Sequence, residues 1–104
     1  MATPGESFAD VEQELLREPG TTRGTGFGAS PGVRVDGRIA AMLVGGRLVV
    51  KLPADRCREL IGTGAGEPLQ IGRRTMREWV TVGHERRDGW LTLAREALRF
   101  VRSG

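Results

Sequence analysis

The stretch VDGRIAAMLVGGRLVVKLP, residues 35–53, decides the fold. Asp36-Gly37 and Gly45-Gly46 interrupt runs of branched and aliphatic residues, and both pairs accept the positive φ angles that tight hairpins require. Val33–Val35, Ile39–Val44 and Leu48–Leu52 are therefore expected to form three antiparallel strands of a meander. Beyond it, Pro53 sets φ for a first helical turn, and Cys57, Leu60 and Ile61 share one helix face before Gly62 ends the element. The loop GTGAGEP leads to a short strand at Leu69 and Ile71, then a strand at Met76–Val82. Strict alternation would put Met76, Glu78, Val80 and Val82 on one face and Arg77, Trp79 and Thr81 on the other. A last helix over Asp88–Arg102 presents Trp90, Leu93, Ala94, Ala97, Leu98 and Val101 as an apolar stripe.

Upstream of the meander, residues 1–6 read as a flexible terminus. Ser7 and Asp10 stand at capping-box spacing for a helix whose apolar stripe is Phe8, Val11, Leu15 and Leu16. Pro19 and Gly20 stop that helix. TTRGTGFGASPG, residues 21–32, reads as a loop or an irregular edge strand anchored by Phe27. The order is α-β(3)-α-β(1-2)-α, an α+β two-layer sandwich in which residues 7–104 make one domain with helices on an antiparallel sheet. A chain of 104 residues suits one core and leaves no room for two.

Composition narrows the function classes. With 38% apolar and 28% charged residues the chain suits a globular domain. No apolar run reaches the roughly 20 residues of a membrane span, and a cytoplasmic location without membrane contact is expected. One cysteine and one histidine exclude a Cys/His zinc site and an internal disulfide. The formal net charge of +3 is uneven: residues 1–35 carry five acidic and three basic groups (−2), residues 36–104 eight and thirteen (+5). An anionic partner would meet the second part.

Arg73, Arg74, Arg77, Arg86 and Arg87 are the candidate nucleic-acid contacts, with Trp79 beside Arg77 as a stacking platform, provided both turns lie on one side. A solvated arginine-rich edge accounts for the same residues without a ligand. Arg47 and Lys51 share a strand face and suit either an anion or protection of a sheet edge. Trp79 and Trp90 are expected to pack between the sheet and the last helix. Cys57 is expected to be a small buried hydrophobe and His84 a surface histidine. A serine–histidine arrangement is hard to build, since Ser7, Ser30 and Ser103 fall in loops or termini. Neither glycine-rich loop has dinucleotide spacing, because Pro31 or Glu67 stands where a third glycine belongs. No catalytic, cofactor-binding or metal-binding residue is assigned, and no cofactor is expected.

Phe27-Gly28, VDGRIAAMLVGGRLVVKLP at 35–53, MREWVTV at 76–82 and WLTLAREALRFV at 90–101 together resemble the TfoX/Sxy N-terminal domain family, over residues 8–102. The resemblance is to a stand-alone copy of that domain, without the family's C-terminal helical domain. It implies a small antiparallel sheet with flanking helices, kinship to regulators of bacterial natural competence, and no catalytic residues. The expected function is a non-enzymatic regulatory or protein-interaction module, acting on a protein partner or as a homodimer through an exposed strand. A weak nucleic-acid binder using the arginine-rich edge is the alternative.

Overall fold

The computed structural model describes residues 1–104 and shows an α+β domain: six antiparallel strands carry three helices on one face. In chain order the elements are α1 (Pro4–Leu15), β1 (Thr21–Thr25), β2 (Pro31–Val35), β3 (Arg38–Val44), β4 (Arg47–Lys51), α2 (Ala54–Gly62), β5 (Glu67–Ile71), β6 (Arg74–Val82), a 3₁₀ segment (His84–Gly89) and α3 (Trp90–Ser103). The sheet order is β1-β2-β3-β4-β6-β5, so β1 and β5 are its edges. The meander forms as its turns predict. Asp36 and Gly37 have φ of 52° and 81°, and Gly45 and Gly46 have 58° and 78°, the geometry that matches strand twist.

α1 starts earlier than expected. Thr3 caps it, its side chain accepting from Glu6 N (3.1 Å) while Glu6 Oε1 accepts from Thr3 N (2.8 Å). Pro4 then occupies a position whose N–H would have no helical partner. Residues 4–6, read as part of the terminus, are thus the first turn, and Ser7 lies inside the helix. The backbone amide of Thr3 is the leading reason that the Glu6 carboxyl is held below its usual range. A lowered folded value stabilises the fold above the ordinary carboxylate range and is lost as pH falls through it. Thr3→Ala is expected to cost about 1 kcal/mol in urea unfolding at neutral pH. The bond from Thr3 N to the Glu6 carboxylate survives that substitution, so its pH dependence is read from Glu6→Gln instead, whose cost should shrink in acid as Glu6 of the parent protein is protonated.

The segment at 21–32 supplies a full edge strand, β1, paired with β2 from Thr21↔Val35 to Thr25↔Pro31. The main core lies between the sheet and the helices. Leu15 of α1, Val33, Val35, Leu48, Val50, Val80 and Val82 of the sheet, and Trp90 and Leu98 of α3 are essentially unexposed there. Trp90 meets its expected role, and its indole N–H donates to Gly83 O at 3.1 Å. Trp79 does not pack against α3. It belongs to a second cluster with Met42 and Val49 on the other face of the sheet, which no helix covers.

The helix-free face as candidate contact site

Alternation along the strands aims Met42, Arg47, Val49, Lys51 and Trp79 at the helix-free face, opposite the Leu48 and Val50 side. The β1–β2 loop folds onto this face. Phe27 lies 5.1 Å from the Trp79 ring at 60°, and Phe27 N donates to Met42 Sδ at 3.4 Å. Gly26 allows this close approach, because a Cβ at that position would displace the Met42 side chain. Lys51 Nζ stands 5.6 Å over the Trp79 ring, a cation–π contact across the Lys51↔Trp79 strand pair. Between them Phe27 and Lys51 leave Trp79 only 5% exposed. The ring is therefore not offered to a base as a stacking platform.

Strict alternation fails at one place. Pro68 pairs with Val80, but the next β5 residue, Leu69, pairs with Met76, so residues 77–79 of β6 bulge out of register. Met76 is carried to the Trp79 side and packs with Leu69 against that cluster, correcting the expected grouping with Val80 and Val82.

The bulge lines a hollow of about 670 Å³ formed by residues 74–79 with Lys51 and Ala54. A second hollow of about 540 Å³ shares Lys51 and Glu78 and continues past Arg34 and Arg38 to Phe100 and Val101 of α3. Arg34 donates to Gly37 O and Thr25 O, and Arg38 to Val101 O, so backbone carbonyls fix both guanidinium groups without neutralising them. Arg34, Arg38, Lys51, Arg74 and Arg77 have no carboxylate partner, and Glu78 is the one acidic residue lining either hollow. In the helix layer Arg99 of α3 and Arg86 and Arg87 of the 3₁₀ segment are likewise unbridged, but most cations there are paired. There Arg56 pairs with Glu59 and Glu96, Arg58 with Asp55, Arg95 with Glu14 and Glu18, and Arg102 with Glu18.

The five candidate arginines are divided between the two ends of β6. Arg73, Arg74 and Arg77 stand at its start and the β5–β6 turn, while Arg86 and Arg87 lie beyond its end in the 3₁₀ segment. At about 3.3 Å per residue the strand separates the two groups by roughly 25 Å, so they do not make one basic edge. Arg87 donates to His84 O, and Arg86 lies near Glu85 and Asp88 around a separate hollow. Arg47, the other anion candidate, is paired with Glu67 at 3.1 Å.

One pair had no local signal in the sequence. Ser7 Oγ and His84 Nε2 are joined by a 2.8 Å hydrogen bond across 77 positions, and His84 packs edge-on against Trp90 at 5.6 Å. Ser7 is thus not in a loop, and His84 is half-buried rather than a surface residue. Ser7 is only 9% exposed, and the neighbouring amides of Glu6 and Ser7 are already bonded to Thr3. The geometry therefore clips α1 to the 3₁₀ segment. Ser7→Ala is expected to cost about 1–2 kcal/mol, and a cycle with His84→Ala should return at least about 0.5 kcal/mol of coupling in urea unfolding.

Cys57 packs at the base of α2 among the main core residues, with Sγ 3.6 Å from Leu52 O. Burial is the main cause that pushes its thiol pKa up. With Sγ out of solvent, labelling by a disulfide reagent should require opening of the fold and be far slower than in the unfolded chain. Fast labelling of the native protein would contradict this burial. No three His, Cys, Asp or Glu side chains gather as a metal ligand set, and no helix is long and apolar enough to cross a membrane.

Fold and site together define a class: a two-layer α+β domain with one helix-covered sheet face and one basic, partly apolar face. Compared with known proteins, the chain matches no family model, no curated protein and no solved structure.

Proposed function

We propose that the chain is a non-enzymatic, cytoplasmic regulatory or protein-interaction module whose contact surface is the helix-free face of the sheet. The observation that carries this reading is the group Arg34, Lys51, Arg74 and Arg77, four cations without carboxylate partners along two joined hollows, with Arg38 turned toward α3 at the end of the second. Uncompensated charge on one face steers an oppositely charged partner, whereas exposed ion pairs like those of the helix layer add little. The resemblance of residues 8–102 to the TfoX/Sxy N-terminal domain supports the same reading, since that family is regulatory.

The test is binding of labelled polyglutamate at low salt, followed by fluorescence anisotropy. Lys51→Glu/Arg77→Glu should weaken binding about tenfold or more, while the charge-matched Arg86→Glu/Arg99→Glu should change it less than about threefold. Equal losses in the two variants would mean that net charge, and not this face, holds the anion.

A nucleic-acid reading is favoured by the three neighbouring arginines Arg73, Arg74 and Arg77 at one end of β6. It requires oligonucleotide binding that falls with salt by roughly 0.7–0.9 log units per phosphate contact and drops in Arg73→Ala/Arg74→Ala. Arg86 and Arg87, at the far end, should contribute nothing to the same contact.

A further inference from the structure

Resting on that reading of the face, we infer that its occupant is an acidic protein segment that also carries apolar side chains. Its carboxylates would sit on Lys51, Arg74 and Arg77 and its apolar groups on the strip Ile71–Leu69–Met76. The charge half of the argument is complementarity. The three cations ring the larger hollow with Glu78 as their one acidic neighbour.

The apolar half comes from the same corner of the sheet. Ile71 is 46% exposed and, apart from the terminal Met1, is the one exposed large hydrophobic side chain of the molecule. It pairs with Arg74 across the β5–β6 hairpin, and Leu69 pairs with Met76, so one cation sits beside three apolar side chains on a short ribbon. A chain of alternating acidic and apolar residues matches both components.

Two further observations choose this occupant over others. Phe27 and Lys51 cover Trp79, so the indole is not offered to a base, and the one ring left partly exposed on this face is Phe27, itself packed on Trp79. Pro68 has no N–H to give to an added strand, so the short β5 edge is a poor template for backbone pairing. The segment therefore lies over the face rather than extending the sheet.

The experiment uses the full chain and three fluorescein-labelled probes of equal length: a peptide alternating Glu and Leu, an all-Glu peptide, and oligo(dT). The alternating peptide should bind about tenfold tighter than the all-Glu peptide, the affinity equivalent of burying one leucine side chain. It should also bind tighter than oligo(dT). Ile71→Ser, at an exposed position, should erase the advantage of the leucines while leaving all-Glu and oligo(dT) binding unchanged. Lys51→Glu/Arg77→Glu should weaken the binding of every probe.

Tightest binding of oligo(dT), or an alternating peptide indifferent to Ile71→Ser, would overturn the inferred occupant and leave the contact face standing. No binding of any probe at low salt, or binding indifferent to charge reversal on β4 and β6, would overturn the face itself. Circular dichroism of each variant shows that a loss of binding is not a loss of fold.

Discussion

Trp90→Ala is expected to lower the free energy of unfolding by about 3–5 kcal/mol, the range for truncating a buried tryptophan. The indole is wholly unexposed, sits at the start of α3, and donates to Gly83 O where β6 hands over to the 3₁₀ segment. Truncation therefore opens a cavity under α3 and removes one of the two hydrogen bonds on Gly83 O, leaving the one from Arg86 N. A domain of this size has about 5–15 kcal/mol in all, so the variant should be close to unfolding at physiological temperature. Urea denaturation followed by circular dichroism measures this. A loss below about 1.5 kcal/mol would mean that the helix layer does not depend on this side chain.

Trp79→Ala is the second large effect and should differ in kind. The side chain is nearly as buried, yet its neighbours are Phe27 in the β1–β2 loop, Met42, and Lys51 across the strand pair. A surface loop relaxes into a void more readily than a packed helix does, so the cost should fall near the lower limit, about 3 kcal/mol. Part of it is the aromatic pair. A double-mutant cycle with Phe27→Ala should return about 0.5–1.5 kcal/mol of coupling. Additive losses would show that the loop does not rest on the indole.

The elements whose signal is local were legible in the sequence. Positive-φ residues at Asp36-Gly37 and Gly45-Gly46 marked the meander, and the 3.6-residue stripe from Trp90 to Val101 marked α3. Edge strand β1 was less so, because its glycines resemble loop punctuation. In the sheet Gly24 and Gly32 face each other, and a Cβ on Gly32 would stand 2.9 Å from Ala41 O, so packing demands that glycine. Two capping boxes had equal spacing, Thr3 with Glu6 and Ser7 with Asp10. Pro4 favours the first, since it fits the opening turn of a helix.

The candidate site was only partly legible. Arg47 and Lys51 on one strand face, and Arg77 near Trp79, were readable from alternation. The bulge at 77–79 that turns Met76 to the Trp79 side depends on where β5 and β6 fall out of register, which no single segment records. The division of Arg73, Arg74 and Arg77 from Arg86 and Arg87 follows from their lying at opposite ends of β6. The Ser7–His84 bond joins segments 77 residues apart and left no trace in either.

The central claim is that the helix-free face is where this domain meets its partner, and an amide chemical-shift titration tests it most directly. With the labelled protein and the alternating Glu/Leu peptide at low salt, shifts should concentrate at Gly37-Arg38, at Lys51 and across residues 69–79. The amides of α1 and the 3₁₀ segment should stay still. Shifts centred on those elements, or spread evenly over the molecule, would contradict the claim.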